Sequence, residues 1–530
     1  MASERLELVS LKELKQKNGI HAESLVLPQL KSTDVIFMQP VSRLDTHRYS
    51  RGILLLSAYL EQHGIPNIIF ESHRLLSKPM VWHFPSPEQV QEVESKLLEK
   101  VVQWKTKIIC FTCSTVEFNE TIEFAKKIRK VVPNAVFVAG GYHADAFPED
   151  FLNNGFDYAV RGEGELTILE LFQALFGGRK DFPAIDGLAW KKPTGEVVVN
   201  KRRALLAEFD ELPLPAYHKI DMPHYLKIWD GTLRGIPCRG ALLETSRGCP
   251  WSCNFCSCPT IAGHRMRYRS EESLDTEVKL LKEKYGVEGF MLTDDMFTVS
   301  MDHIKKVSRV MKKHGIVWTA QARTHAVTEE MLRVMKDAGC VQIDFGVESG
   351  SQRVLDEIIN KKATTDHARQ AFALCKKVGI RAMANLMLGN PTETEEEMKL
   401  TLALAKEIKP DYVFYSIVAP LPNTKLYEMV NAMLPEDNKI TVEDYKSIDW
   451  TGKNYSEKLN FSKVKDLSRI HKIFERELHG LVLRNAVKNN IFYFKMMLML
   501  PHRIEKLRYL GKKLCNFFVV KRIFGKDLRL

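Results

Sequence analysis

Three cysteines within the segment Arg247-GCPWSCNFC have the types and spacing that could do chemistry. They stand at positions 249, 253 and 256, in a C-x3-C-x2-C pattern that follows the predicted strand Ala241-LLETS. Three thiolates on one short loop can hold three irons of a cubane cluster, because iron–sulfur clusters are bound by cysteine sulfurs. The fourth iron then stays open to a substrate or cofactor, like the free position of a catalytic metal. The spacing therefore predicts a 4Fe-4S cluster bound by Cys249, Cys253 and Cys256.

The alternative for the same loop is a zinc site with Cys258 as the fourth ligand. Structural zinc usually takes paired cysteines separated by a longer loop, whereas these four crowd together, so the spacing favours the cluster. Without a metal role, Cys258 is expected to pack, as are Cys340 and Cys375, since free cysteine behaves as a small hydrophobe. Cys110 and Cys113 are not expected to form a redox pair, because their positions on a strand point to opposite faces.

The elements that must position the cluster loop are predicted from an alternation of apolar strands and amphipathic helices. Helices are expected near Glu271, Met301, Thr328, Thr364 and Glu393, with Ser270, Ser300 and Thr328 as capping residues. Six strand–helix units in succession predict a partial (β/α)6 barrel whose active site opens at the carboxyl ends of the strands. The six predicted strands are Ala241-LLETS, Gly289-FMLTDD, Ile316-VWTAQAR, Val341-QIDFGVE, Arg381-AMANLMLG and Asp411-YVFYSIVA.

A smaller alternation of the same kind occupies residues 33–180 and predicts a doubly wound parallel sheet with helices on both faces. Ligands of such sheets bind at the carboxyl ends of the strands. The polar and glycine residues expected there are Gln39-Pro40, Ser114, Thr115, Gly140, Gly141 and His143.

The chain as a whole is therefore predicted to be of the α/β class, in five parts. Residues 1–32 are an N-terminal extension, and 33–180 form the first domain. Residues 181–238 are a linker with a hairpin that turns at Pro193-Thr194-Gly195. Residues 239–455 form the barrel, and 456–530 form a helical basic region.

Composition fits a multidomain protein of a reducing compartment. Of the 530 residues, 45% are hydrophobic and 27% charged, and ten cysteines are too sparse for a disulfide scaffold. We find no apolar signal segment at the N-terminus and no uncharged stretch long enough to span a membrane, so a cytoplasmic location is expected.

The basic character of the chain belongs to its C-terminal tail. Residues 460–530 hold 17 Lys and Arg against 5 Asp and Glu, which leaves 60 basic and 61 acidic residues elsewhere. A helix with one apolar and one basic face can lie at an anionic membrane surface. A solvated helical cap on the barrel has the same composition, and so has a nucleic-acid-binding segment, which is the least favoured of the three.

With Phe255 before its third cysteine, the cluster loop resembles the signature of radical S-adenosylmethionine (SAM) enzymes. Four further segments resemble the strand motifs of this family: Leu292-TDDMF, Gly346-VESGS, Met387-LGNPTET and Ala419-PLPNTKLYE. Within them Asn390 and Thr392 depart from the usual fifth-strand pattern, and Asn423 replaces a glycine of the sixth.

The resemblance implies particular contacts to SAM. Asp294 or Asp295 is the candidate for the ammonium group, Arg323 for the carboxylate, and Glu348 for the nucleoside. In such enzymes the open iron chelates SAM and donates one electron, which yields a deoxyadenosyl radical.

The first domain resembles the cobalamin-binding domain that precedes many radical SAM enzymes. The resemblance is carried by Cys113-STVEFN, Ala139-GGYHADAFPED and Val160-RGEGE. It implies that Gly140 and Gly141 let the backbone approach the cobalamin. It also implies that Ser114 and Thr115 offer hydroxyls to its amides, with His143 nearby. Gly52 stands five residues after His47, not three as in the family's cobalt-ligand motif, so no histidine ligand is expected.

Taken together, the resemblance is to magnesium-protoporphyrin ester cyclases and cobalamin-dependent radical methyltransferases, and it implies methyl transfer to an unactivated carbon. One alternative keeps the cofactors but closes a ring oxidatively; another is a non-catalytic cobalamin or lipid sensor. A small-molecule or lipid substrate and an electron donor such as flavodoxin or ferredoxin are the expected partners, with peripheral membrane contact as a further hypothesis.

Overall fold

The computed structural model describes residues 7–13, 30–40, 49–75, 86–177, 181–227, 232–234, 236–446, 448 and 455–478. The segment around His47 and the basic residues 479–530 lie outside these ranges. Within the described part of the chain, no helix is long and apolar enough to cross a membrane.

The N-terminal half is built on one sheet with strand order β3-β2-β4-β5-β6-β7-β8, in which β2 to β6 run parallel. This is a doubly wound sheet, as predicted from the sequence. Strand β3 is added on one side of β2 and the later strands on the other, so the topological switch point lies between β2 and β4. Two short strands, β1 and β9, pair separately. The strands are β1 Leu8–Val9, β2 Val35–Met38, β3 Ile68–Phe70, β4 Ile108–Thr112, β5 Val136–Gly140, β6 Tyr158–Val160, β7 Leu188–Lys191, β8 Val197–Val199 and β9 Leu205–Leu206.

Helices cover both faces of this sheet because alternate strand residues point to opposite sides. In β2, Val35 and Phe37 join one core, while Ile36 and Met38 join the other. Cys110 and Cys113 are likewise divided between the two cores, which confirms that they do not form a pair. The helices are α1 Arg51–Gln62, α2 Pro87–Trp104, α3 Phe118–Val131, α4 Tyr142–Ala146, α5 Pro148–Asn153, α6 Gly164–Phe176 and, in the linker, α7 Met222–Tyr225.

The hairpin β7–β8 turns at the expected place, but it does not stand apart in the linker. Its first strand pairs antiparallel with β6, so the first sheet extends to Val199.

The C-terminal half is an open barrel of six parallel strands in the order β10-β13-β14-β15-β16-β17. The order of these strands in the sheet follows their order in the chain, as successive strand–helix units predict. A two-stranded ladder, β11 with β12, lies beside the first barrel strand. The strands are β10 Gly240–Leu243, β11 Ser246–Arg247, β12 Arg267–Tyr268, β13 Gly289–Leu292, β14 Val317–Arg323, β15 Cys340–Glu348, β16 Arg381–Leu388 and β17 Tyr412–Ile417.

Barrel helices begin where the sequence predicts, because their capping side chains accept the free N–H groups of the first turn. Ser270, Ser300, Thr328 and Thr364 each cap a helix in this way. The helices are α8 Cys258–Ala262, α9 Glu271–Tyr285, α10 Met301–His314, α11 Glu329–Asp337, α12 Thr365–Val378, α13 Glu395–Ile408 and α14 Lys425–Ala432.

One more helix, over residues 467–478, packs on the barrel rather than extending from it. Leu467, Ile470, Phe474 and Leu478 are buried in the barrel core at helical spacing. The ring of Phe474 lies 5.9 Å from that of Tyr415 on β17, the last strand of the sheet. The start of the predicted basic region is therefore an integral part of the barrel.

Candidate active site

The cluster loop is the connection between β11 and β12, so both of its ends are held by one antiparallel ladder. Arg247 pairs in register with Arg267. Gly248 has φ +97°, and a Cβ on it would lie 2.4 Å from the carbonyl oxygen of Arg265. Glycine is therefore the residue that allows the chain to leave β11 at this angle. The loop also closes on itself through a hydrogen bond from the Cys249 N–H to the Gly263 carbonyl, at 3.1 Å.

The three cysteine thiols of the loop stand in different surroundings. Burial raises the pKa of Cys253, although Lys361 and Arg323 act against it. A hydrogen bond from Cys258 lowers the pKa of Cys249 to about 7 and lowers that of Cys256. Thiolates are the metal-binding form of cysteine, so the surroundings of Cys249 and Cys256 favour the charge state that iron requires, whereas those of Cys253 do not.

Cys258 does not simply pack, contrary to expectation. It is half-buried, and its hydrogen bonds to Cys249 and Cys256 raise its own pKa. Its thiol therefore stays protonated beside the other two. Among the described residues, no three His, Cys, Asp or Glu side chains are grouped to share a single metal ion. The three ligands of a cubane each bind a different iron, so they do not need to converge on one point.

Arg323, at the end of β14, lies directly behind the cluster loop. Its Nη1 atom donates to the Cys253 sulfur at 2.8 Å, and its guanidinium lies 4.8 Å from the ring centre of Trp251. Its Nε and Nη2 atoms are buried without a hydrogen-bond partner among the described residues. A buried guanidinium with two free donors fits a planar carboxylate. The residues around the loop thus fit both a cluster and an amino-acid carboxylate bound to it.

The two adjacent aspartates after β13 have separate roles. Asp294 is 1% exposed and accepts hydrogen bonds from the Thr245 N–H at 2.7 Å, the Ser246 hydroxyl at 2.6 Å and the Thr245 hydroxyl. These bonds fix the segment that leads into the cluster loop, and they occupy the carboxylate. Asp295 is exposed and accepts a hydrogen bond from the Gly248 N–H of the cluster loop at 3.2 Å, and desolvation raises its pKa. Of the two, Asp295 is the one open to a ligand.

Glu348 ends β15 with a backbone φ of +65°, after a register shift beside Gly346. A non-glycine residue in this region is strained, and the surrounding structure must hold it there. Its carboxylate accepts a hydrogen bond from the buried Lys361 ammonium at 2.7 Å. A Cβ on Gly346 would lie 2.4 Å from Glu348, so the glycine makes room for this ion pair. Lys361 also lies 5.6 Å from the ring centre of Phe255 in the cluster loop.

The departures from the family motifs have structural explanations. Thr392 and Asn423 replace glycines and take φ values of +63° and +61°. Arg353 holds Thr392 through its carbonyl and hydroxyl oxygens, each at 3.3 Å. Asn390 donates to the buried Glu393 carboxylate from its N–H and its amide, at 2.9 and 3.1 Å. Burial raises the pKa of Glu393 to about 7, although these hydrogen bonds act to lower it.

Apart from the cluster loop, a cavity of about 230 Å³ opens at the carboxyl ends of the strands in the first domain. It includes both predicted glycines and, from the other half of the chain, Arg247. Gly141 has φ +91°, and a Cβ on it would lie 2.8 Å from the Cys113 carbonyl oxygen, so only glycine fits. The cavity-lining polar and glycine residues are Gly52, Thr112, Gly140, Gly141, Gly162, Glu163, Gly164, Glu165 and Arg247.

Three other residues predicted for this site do not line the cavity. The Ser114 hydroxyl donates to Glu117 at 2.6 Å and caps the turn before α3. The Oγ1 atom of Thr115 and the Nδ1 atom of His143 are 3.2 Å apart. The imidazole is 0% exposed and packs against the rings of Phe118 and Phe151. His143 therefore packs inside the domain. Of the residues predicted to contact cobalamin, Gly140 and Gly141 line the cavity, and the contacts of all five remain predictions.

The two sites adjoin at the boundary between the domains, here called the cleft, which Arg247, Asn423 and Tyr142 border. Arg247 borders the cavity and begins the cluster loop. The Asn423 amide, after β17, donates to Asp145 of α4 at 2.7 Å. Tyr142 directly follows the cavity glycines, and desolvation raises its phenol pKa to about 12, with the charge of Asp295 in the other domain adding to the rise. Loops at the carboxyl ends of both sheets therefore face each other, as the predicted chemistry requires.

Sequence reasoning missed several of these residues. Thr112, Glu163 and Glu165 lie within or beside segments that carry the cobalamin-domain resemblance, so closer reading of those motifs would have found them. Lys361 had no such signal, since it meets Glu348 through a bend that only the folded chain defines.

Comparison with known proteins agrees with this architecture. The Radical SAM superfamily model matches residues 243–405, and the B12 binding domain model matches residues 42–172. An uncharacterized methyltransferase of Pyrococcus horikoshii is 33% identical over 408 residues, which cover 74% of this chain and 86% of the relative. The anaerobic magnesium-protoporphyrin IX monomethyl ester cyclase of Rubrivivax gelatinosus is 26% identical, over 67% of this chain and 63% of its own length.

Among solved structures, the cobalamin-dependent SAM radical enzyme OxsB, with aqua-cobalamin and SAM bound, has the same fold. It superposes with a TM-score of 0.64 at 17% identity and covers 87% of this chain and 72% of its own. The chain therefore belongs to the radical SAM enzymes that carry a B12-binding domain. Its domains therefore imply a 4Fe-4S cluster with SAM and cobalamin as cofactors.

Proposed function

We propose that this protein is a cobalamin-dependent radical SAM methyltransferase that acts on an unactivated carbon. The observation that carries the proposal is the single cleft, in which the cluster loop and the cobalamin cavity share Arg247 as a common wall. A substrate carbon in this cleft would lie within reach of both cofactors. Placement of this kind supplies much of the rate in reactions between bound partners.

When bound, the cofactors supply the radical and the methyl group, while the protein binds, orients and excludes water. Arg323 and Asp295 are proposed to hold the carboxylate and ammonium groups of SAM, and the Glu348–Lys361 pair to lie against its nucleoside. Gly140 and Gly141 are proposed to admit the nucleotide tail of cobalamin, because the cavity of about 230 Å³ is too small for the whole cofactor.

The overall reaction balances with two molecules of SAM and two electrons. One SAM gives its methyl group and leaves as S-adenosylhomocysteine. The other leaves as methionine and 5′-deoxyadenosine, which has taken the hydrogen atom from the substrate carbon. A reductant must therefore act with this enzyme, and we propose a flavodoxin or ferredoxin.

Ring closure is the second candidate, because one of the matched relatives is an anaerobic magnesium-protoporphyrin IX monomethyl ester cyclase. Product mass separates the two reactions: methyl transfer adds one carbon to the substrate, and cyclisation adds none. The test is anaerobic purification with iron, sulfide and cobalamin analysis, followed by mass spectrometry of extracts incubated with the enzyme. A product heavier by one methyl group supports the proposal, while an oxidised product with unchanged carbon number contradicts it.

We also propose that the basic C-terminal residues contact an anionic membrane and that the substrate is then a lipid or terpenoid. The support is the charge of residues 460–530. Because residues 467–478 pack on the barrel, the matched variant should end at Leu478, which keeps these packing residues. Co-sedimentation with anionic liposomes by the full chain, lost in the shortened chain, supports the proposal; equal behaviour of the two contradicts it.

A further inference from the structure

Both ends of the cluster loop are bound to one carboxylate of the other domain. Arg247, where the loop begins, donates from Nη1 to Glu163 at 3.0 Å. Arg267, where the loop ends, donates from Nη1 to the other oxygen of Glu163 at 2.9 Å. The two arginines are register partners in the β11–β12 ladder. Glu163 therefore closes the base of the loop from outside the barrel.

The surroundings make this contact strong. Arg247 also donates to Glu165 at 3.1 Å and to Glu244 at 3.2 Å, and its guanidinium lies 4.9 Å from the ring centre of Phe209. The side chains of Arg247 and Glu163 are each only 11% exposed. Removing one partner from a buried ion pair leaves an uncompensated charge, so the network resists being opened on one side only.

The same groups form the wall of the cavity in the first domain. Glu163, Glu165 and Arg247 border it together with Gly140 and Gly141. A molecule that fills this cavity therefore touches the groups that hold the cluster loop closed. Conversely, a disordered cluster loop would withdraw Arg247 from the cavity wall and leave Glu163 and Glu165 exposed to each other's charge.

We infer that Glu163 links the two cofactor sites, so that cobalamin in the cavity and a cluster in the loop each strengthen the binding of the other. Such a linkage is reciprocal by thermodynamic necessity. Glu163 is a positioning residue here, because it acts through Arg247 and Arg267. The inference rests on the binding of both cofactors and not on the reaction that they support.

The first test uses the wild-type full chain. Hydroxocobalamin is titrated, with absorbance as the readout, into protein with a reconstituted cluster and into protein from which the cluster has been removed. We expect cobalamin affinity to be at least about fivefold higher with the cluster, the lower end of typical site-to-site coupling. Equal affinities in the two states would overturn the inference whatever reaction the enzyme catalyses.

The second test asks whether Glu163 carries the linkage. In Glu163→Gln the difference in cobalamin affinity between cluster-loaded and cluster-free protein should largely disappear, and bound cobalamin should no longer slow loss of the cluster to a chelator.

Arg51→Lys is the matched control, because Arg51 donates a hydrogen bond to Glu277 across the same domain interface at 2.6 Å without touching the cluster loop. Arg51→Lys should keep the wild-type difference. An equal loss in both variants would assign the effect to general domain docking and contradict a role for Glu163. Should Glu163→Gln fail to fold by circular dichroism, Arg247→Lys replaces it in the same comparison.

Discussion

At the scale of single residues, neighbours in the sequence take different parts in the site. Asp294 and Asp295 are equivalent candidates on the printed sequence, and a motif alone gives no ground to choose between them. The fold separates them, since Asp294 is buried under three donors and Asp295 faces the cleft. The sequence predicted the three cysteines because their spacing lies within one loop. It could not predict Lys361, whose partner Glu348 is on another segment.

Substitution of each aspartate by asparagine should therefore affect a different property: stability for Asp294 and SAM binding for Asp295. Asp294→Asn replaces one of two buried acceptor oxygens with an amide donor that faces other donors, and we expect the free energy of unfolding to fall by about 2–4 kcal/mol. Asp295→Asn should leave stability nearly unchanged but weaken SAM binding about tenfold, if one charge-assisted hydrogen bond is lost.

Urea denaturation and SAM binding to the cluster-loaded protein measure the two effects, each variant serving as the control for the other. Weakened SAM binding by Asp294→Asn alone, in a protein of wild-type stability, would reverse the assignment.

At the scale of elements, the strands and helices were predictable because their signals are local. Apolar alternation and the caps at Ser270, Ser300 and Thr328 lie within a few residues of the elements they define. The pairing of β7 with β6 was not predictable, because a hairpin carries no local mark of the sheet it joins. Gly140 and Gly141 were predicted as the place where the backbone approaches cobalamin, and the structure adds that Gly141 is needed for the turn into α4.

Gly141→Ala tests this turn against a matched glycine. Gly155 has nearly the same φ, +89° against +91°, but open space where its Cβ would stand. Gly155→Ala should cost about 1 kcal/mol of stability through backbone strain and leave cobalamin binding intact. Gly141→Ala should cost more and weaken hydroxocobalamin binding, because the added Cβ displaces the Cys113 backbone.

Urea midpoints and absorbance titration provide the two readouts. Equal cobalamin affinity in the two variants would show that the β5–α4 turn does not shape the cavity.

Glu393, in the turn between β16 and α13, predicts a pH dependence of stability. Its pKa of about 7 lies above its ordinary value of 4.5, so the folded state keeps a proton that the unfolded state loses. Between these two values the free energy of unfolding should fall as the pH rises, by roughly 3 kcal/mol at most, and then level off. Glu393→Gln carries no ionisable group and should lack this fall.

The check is the urea midpoint of wild type and variant at about pH 5 and about pH 8. Glu407→Gln is the control, because a hydrogen bond from Arg369 lowers the pKa of Glu407. The stability that Glu407 adds is complete above its ordinary pKa and is lost only in acid. The difference between wild type and Glu407→Gln should therefore stay constant over this range. A constant difference for Glu393→Gln as well would refute the prediction.

At the scale of the whole molecule, the arrangement of the two domains can be predicted from the proposed chemistry and not from any local signal in the sequence. Methyl transfer that uses both cofactors requires their sites to face each other, and the contacts of Arg247 with Glu163 and of Asn423 with Asp145 bring loops at the strand ends of both sheets together. The residues that make these contacts could not be predicted, because they lie far apart in the chain. The five domain boundaries and the individual cofactor contacts remain predictions.

The central claim, that one cleft joins a radical source to a methyl carrier, is tested most directly by the fate of SAM labelled with a CD3 group. The anaerobic, cofactor-loaded protein is incubated with reductant and cell extract, and S-adenosylhomocysteine, 5′-deoxyadenosine and new products are quantified together. We predict equal amounts of the two nucleosides and a product that carries one CD3 group, with Cys253→Ala releasing no deoxyadenosine. Deoxyadenosine without S-adenosylhomocysteine or a labelled product would contradict methyl transfer, and its release by Cys253→Ala would contradict the assignment of the cluster.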